Sequence, residues 1–206
     1  ASLSDQYYLA DEVASSGARA LDWANTNGVF WPNYSEENFK AMMEEFGVKL
    51  DQKMKTMSAG QLKKTHIAFA LAAGARYIFM DEPTNGLDIP GKTQFRSAIM
   101  RFTPEDSTIV ISTHQVRDLE NIIDPIIILD KQDVLLNASI EEICSRLYFD
   151  YGTTLHPESL FTEQLPGGFI QVYPNVKGEE SKVNIEVLFN AVAKNKEQIK
   201  TLFETK

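Results

Sequence analysis

A chain of 206 residues is long enough for one large domain or two small ones. Hydrophobic residues at 43% and charged residues at 24% leave ample material for a core, which excludes a disordered chain. The formal net charge of −9 argues against a nucleic-acid partner, because phosphate backbones select basic surfaces. A single cysteine, Cys144, cannot close an internal disulfide, so a reducing compartment is expected, with Cys144 as a small core residue. No apolar run approaches the ~20 residues that cross a bilayer. No signal peptide is visible and the chain begins Ala-Ser rather than Met, so a fragment or an engineered piece of a longer protein is expected.

Residues 9–75 read as helical. Ala18–Trp23 lacks breakers, and Pro32-Asn33 marks a stop. Ser35-Glu-Glu-Asn38 then opens a segment with Phe39, Met42, Met43 and Phe46 at helical spacing, ended by Gly47. A third helix begins near Gly60, carries Leu62, Ile67, Phe69 and Leu71 among alanines, and ends at Gly74. Beyond it, Tyr77–Met80, Thr108–Ile111 and Ile126–Leu129 are almost continuously apolar, the pattern of strands buried on both faces of a largely parallel sheet. Thr93–Phe102 and Val116–Ile123 are helical in character. Val134–Leu136 is expected to pair with 126–129, and Ser139 opens a short helix to about Leu147. From Tyr148 onward breakers accumulate, with one expected strand at Phe169–Tyr173. Asn184 and Asn195 look like helix caps, although Val183, Ile185 and Val187 also alternate as a strand would.

Two stretches carry chemistry. Asp81-Glu82 closes a buried parallel strand, and such strands deliver their C-terminal residues to the edge where ligands bind. Adjacent carboxylates repel unless a cation or proton relieves them; in a nucleotide-hydrolysing site the first would hold Mg²⁺ and the second would orient an attacking water. A solvated acidic turn is the plainer alternative. Ser58-Ala-Gly-Gln61, at a helix start, offers backbone N–H groups and a positive dipole end to an anion; the plainer alternative is a capping box. What favours chemistry is the company: Gly86-Leu-Asp88 follows, and Ser112-Thr-His114 ends the next buried strand. His66 and His156 have no such setting.

These motifs, in this order, resemble those of ATP-binding cassette (ABC) ATPases across residues 57–147. Met57-Ser-Ala-Gly-Gln61 is similar to their signature loop, Ile78–Glu82 to the strand bearing the Mg²⁺ ligand and catalytic glutamate, Gly86-Leu-Asp88 to the D-loop and His114 to the switch histidine. Met57 replaces Leu, Ala59 replaces Gly, and Lys63-Lys64 stand where Gln-Arg is common. The resemblance implies an α/β fold: part of a P-loop NTPase (RecA-like) parallel-sheet core, an α-helical subdomain over 1–75, the C-terminal half of the core over 76–147, and a small α+β module over 148–206. It implies ATP and Mg²⁺ as cofactors. Asp81 would hold Mg²⁺ through water, with Gln6 as the Q-loop residue beside it; Glu82 would be the general base and His114 would contact the γ-phosphate. Ser58, Gly60 and Gln61 would bind ATP held by a partner subunit, and Asp88 would couple the two sites. The implied partners are transmembrane transporter subunits and a second ATPase subunit, head to tail, on the inner face of the cell membrane. Gly86 and Lys63-Lys64 lean toward export.

The family also carries a phosphate loop, Gly-x-x-x-x-Gly-Lys-Ser/Thr. The one literal match is Gly86–Thr93, and its chemistry opposes the role: Pro90 has no N–H, and Asp81, Glu82 and Asp88 would repel an anion. The expectation is that this chain alone neither binds nor turns over ATP. A soluble ABC-type ATPase acting on ribosomes or DNA, and a binding module that has lost catalysis, are the competing readings.

Overall fold

An all-atom computed structural model describes residues 2–120, 122–131 and 133–204. The chain forms two compact units, 1–118 and 119–206. This division differs from the expected boundaries near 75 and 147, and strand pairing explains why.

In the first unit, β1 (Gln6–Leu9), β2 (Tyr77–Asp81) and β3 (Thr108–Ser112) form a parallel sheet in the order β1-β2-β3. Between β1 and β2 run α1 (Ala20–Gly28), α2 (Glu36–Glu45) and α3 (Ala59–Ala72); α4 (Ile89–Phe102) connects β2 to β3. The sequence reading missed β1. Its pairing with β2, from Gln6↔Tyr77 to Leu9↔Met80, binds the N-terminal segment into the sheet, so the helices do not form a unit ending at 75.

The helices follow local rules. Ser35 caps α2 by accepting from the Asn38 N–H, and Phe39, Met42 and Met43 bury one face. Helix α3 is buried on nearly every side from Thr65 to Ala72, which its alanines permit. Phe69 is its anchor, with the rings of Trp23, Tyr7, Tyr34 and Trp31 between 4.9 and 5.7 Å from its own. The chain then turns at Gly74, where φ is +62° and a Cβ would stand 2.7 Å from the Asn33 carbonyl oxygen.

The parallel strands are buried on one face, not both. Ile78 and Met80 are fully covered, whereas Tyr8, Phe79 and Val110 are 65%, 38% and 46% exposed and stand in register across the three strands. The third apolar run does not join this sheet. It forms β4 (Ile126–Asp130), antiparallel to β5 (Asp133–Ala138) as expected, with a register shift at Ile128/Leu129. A connection of two residues suits only an antiparallel partner, since parallel strands need a long crossover. Among the described residues the expected helix at 116–123 reduces to a 3₁₀ turn, Val116–Asp118, and Arg96 Nη1 donates to the Asp118 carbonyl. Asn121 lies outside the described residues.

The second unit continues through α5 (Ile140–Arg146), capped by Ser139, into β6 (Leu147–Gly152), β7 (Phe161–Leu165) and β8 (Gly168–Pro174), an antiparallel sheet ordered β6-β8-β7. Only β8 was expected. Helices α6 (Ile185–Lys194) and α7 (Lys196–Glu204) end the unit, and α6 packs on β4, β5, β7 and β8. That packing draws the β4–β5 hairpin into the second unit. The strand alternative at 183–187 gives way to helix because Asn184 accepts from the Val187 N–H, and Ile185, Leu188, Ala191 and Val192 form a buried stripe.

Candidate functional site

The carboxyl ends of β2 and β3 bring Asp81, Glu82, Ser112, Thr113 and His114 together, all within the first unit. Asp81 pairs in register with Ser112, whose hydroxyl donates to Asp81 Oδ1 at 2.6 Å. Tyr8 OH lies 3.5 Å from Asp81 Oδ2. Glu82 extends the pairing once, its N–H donating to the Ser112 carbonyl at 2.8 Å, and then leaves the strand with φ at +44°. A non-glycine residue in the left-handed region costs on the order of 1 kcal/mol or more, and such strain gathers where geometry serves function.

The turn aims the Glu82 carboxylate back at the end of β3. Thr113 Oγ1 donates to Oε2 at 2.8 Å, while the His114 N–H (2.9 Å) and His114 Nδ1 (2.6 Å) both meet Oε1. The Glu82 side chain is mostly buried and the His114 imidazole mostly exposed. A carboxylate fixed on one side and facing solvent through its imidazole partner has the form of an oriented base.

Two expected residues belong elsewhere. Gln6 pairs with Tyr77 at the amino end of the sheet, four residues or about 13 Å along the strand from Asp81, so it cannot share a metal with it. Asp11, two residues beyond β1, occupies the corresponding position at the carboxyl edge. Asn85 Nδ2 reaches its two oxygens at 3.1 and 3.2 Å, and Lys63 Nζ its Oδ1 at 3.4 Å. These donors, Asn85 foremost, hold the Asp11 carboxyl below its usual range. Sequence reading missed Asp11 because β1 was missed; the apolar triplet Tyr7-Tyr8-Leu9 was the available signal.

Ser58 and Gln61 form the capping box that was the plainer reading, with the Gln61 N–H donating to Ser58 Oγ (3.2 Å) and the Ser58 N–H to Gln61 Oε1 (3.0 Å). Gly60 lies against the next turn, where a Cβ would sit 3.4 Å from the Gly86 carbonyl oxygen. Asp88 caps α4, its Oδ1 accepting from the Gly91 N–H at 2.9 Å, and lies 3.9 Å from Lys64 Nζ. Thus the Ser58–Gln61 helix start and the 82–88 loop are neighbours within one unit.

The fit to cofactors is uneven. A single carboxylate beside a hydroxyl suits Mg²⁺, which keeps much of its water and takes one or two carboxylates, so Asp81 could hold it. The Gly86–Thr93 string does not form a phosphate cradle. Its Gly91 N–H is spent on Asp88, and Lys92 Nζ is held 2.7 Å from Asp118 and 3.1 Å from Gln115 Oε1. Among the described residues no helix is long and apolar enough to cross a membrane.

A family model described as ABC transporter matches residues 6–85, less than half of the chain. The cobalt import ATP-binding protein CbiO of Salmonella typhimurium is 35% identical over 92 residues, covering 45% of this chain and 34% of that protein. An uncharacterized ABC transporter ATP-binding protein of Methanocaldococcus jannaschii is 30% identical over 115 residues, covering 54% and 44%. The energy-coupling factor transporter ATP-binding protein EcfA2 of Mycoplasmoides gallisepticum is 34% identical over 87 residues, covering 42% and 27%. The chain therefore spans between about a quarter and under half the length of these curated relatives. The solved ATP-binding subunit of an ABC transporter superposes with a TM-score of 0.59 at 19% identity, over 68% of this chain and 61% of that one. A cobalt transport ATP-binding protein gives 0.57 at 14% identity, over 86% and 67%. The fold is the α/β fold of ABC ATPase domains, and the sequence likeness is to those domains.

Proposed function

We propose that this chain is a segment of the ATP-binding subunit of an ABC transporter and supplies the Mg²⁺ and water side of its ATPase site. The observation that carries this reading is the Glu82 carboxylate, turned out of β2 by a left-handed residue and met by Thr113, the His114 N–H and the His114 imidazole. In this reading Glu82 orients and deprotonates water, His114 contacts the terminal phosphate, and Asp81 holds Mg²⁺ through water. Ser58, Gly60 and Gln61 present a helix N-terminus to nucleotide carried by a second, head-to-tail ATPase subunit, and Asp88 links the two sites. Transmembrane subunits would hold the assembly at the inner face of the membrane.

The export leaning drawn from Gly86 and Lys63-Lys64 finds no support among the relatives. One is named for cobalt import, which favours uptake.

By itself the 206-residue chain is proposed not to turn over ATP, since the only literal phosphate-loop string has its Gly91 N–H and its lysine side chain engaged elsewhere. Calorimetry with Mg-ATP is expected to show no binding tighter than millimolar; micromolar affinity overturns that statement. In a full-length ATPase subunit containing this segment, Glu82→Gln is expected to lower turnover by about 10²-fold or more while ATP still binds. Undiminished hydrolysis would remove Glu82 from its role.

A further inference from the structure

Lys63 is an unusual member of α3. It lies two residues past Gln61, and only 3% of it is exposed. Burying an ammonium is costly unless partners compensate, and its partners come from one short stretch: the Asp11 carbonyl oxygen at 2.7 Å, Asp11 Oδ1 at 3.4 Å and the Ala10 carbonyl oxygen at 3.4 Å. The same Asp11 carboxylate also accepts from Asn85 Nδ2, at 3.1 and 3.2 Å. Asn85 stands three residues past Glu82, and its N–H donates to the Glu82 carbonyl at 3.1 Å. One carboxylate therefore joins three segments: the exit of β1, the early turns of α3, and the loop that leaves Glu82.

We propose that Asp11 is a positioning residue, which ties the Ser58–Gln61 helix start to the Glu82–Asn85 turn and so fixes one half of the site against the other. The importance of the tie for catalysis rests on the function proposed above; the tie itself can be tested without nucleotide. Two further contacts run the same way. The Gly60 backbone lies against the Gly86 carbonyl, and Lys64 Nζ bonds Gln94 Oε1 at 2.9 Å near Asp88. Both reach the loop beyond Asn85, whereas Asp11 holds Asn85 itself, whose N–H bonds the Glu82 carbonyl. Losing the carboxylate leaves Lys63 with carbonyl dipoles alone, and it would move toward water with its helical turn.

The test is amide hydrogen exchange on the whole 206-residue chain, comparing Asp11→Asn, Lys63→Met and the double variant. Asp11→Asn is expected to lower protection about tenfold at both Gln61–Lys64 and Asn85–Leu87, with the second unit unchanged. Lys63→Met in the Asp11→Asn background should restore part of that protection, because it removes the uncompensated charge. Exchange that rises only around residues 10–13, or effects that simply add, overturns the proposal. Should Asp11→Asn unfold the first unit, Asn85→Ala offers a milder cut. It must loosen the start of α3 as well as its own loop, and a change confined to 82–88 is again fatal. If the tie is found while Glu82→Gln leaves full-length hydrolysis intact, the functional reading fails and the tie stands.

Discussion

The two units each centre on a three-stranded sheet, and they use it in opposite ways. The first is parallel, with long helical crossovers, and gathers Asp11, Asp81, Glu82 and His114 at its carboxyl edge while Tyr8, Phe79 and Val110 remain open on one face. The second is antiparallel, and it turns one polar side chain inward. Gln171 on β8 is fully buried, and its amide joins Asp150 Oδ2, the Thr154 carbonyl and the His156 N–H at 2.8 to 2.9 Å. In the first unit charged groups cluster where chemistry could use them. In the second, the buried Gln171 amide completes hydrogen bonds within the unit. A parallel sheet aligns all its strand ends on one edge, which an alternating sheet cannot do.

Three changes probe this contrast. The largest effect is expected from Phe69→Ala, which empties the centre of the aromatic cluster and should cost about 3–5 kcal/mol. Both tryptophans, Trp23 and Trp31, pack on Phe69, so tryptophan fluorescence reports the first unit alone during denaturation. A midpoint that does not move would mean the cluster contributes little. Next, Gln171→Leu strips the partners from Asp150, Thr154 and His156 and should destabilise the second unit by about 1–3 kcal/mol. The loss should appear in circular dichroism of the strands with little change in tryptophan emission. Equal movement of both signals would show that the units unfold together.

The smallest expected effect is a pH dependence confined to the first unit. His66 is buried against Trp23, its Nε2 2.9 Å from the Ala14 carbonyl, and burial holds its pKa below the ordinary 6.5. The folded chain thus resists a proton that the unfolded chain accepts. Stability is full above the unfolded value and declines as pH falls below 6.5 toward the depressed folded value. His66→Gln should flatten that slope in the tryptophan signal. A slope that persists would assign it to other groups.

The motifs of the site were legible because they are local: Asp81-Glu82 at the end of a β-rich run, His114 after the next, and Ser58 and Gln61 at capping spacing. The residue that joins them was not. Asp11 gains meaning only when β1 pairs with β2 and Lys63 and Asn85 arrive from distant positions. The same holds for Gln6, which reads as a site residue until the register sets it at the far end of the sheet.

Sequence alone determined most of the helices, whose caps and periodic faces lie within a few residues, the segment at 116–123 being the exception, and which residue types could do chemistry. It also determined that Gly86–Thr93 is a poor phosphate loop, because Pro90 and Asp88 lie inside the string. The tertiary structure decided which apolar runs share a sheet, that one face of the parallel sheet stays open, and that Lys63 is buried against Asp11. Each of these depends on pairing between segments far apart in sequence. Local propensity and spacing carry no record of which partner a strand finds or where its register stops.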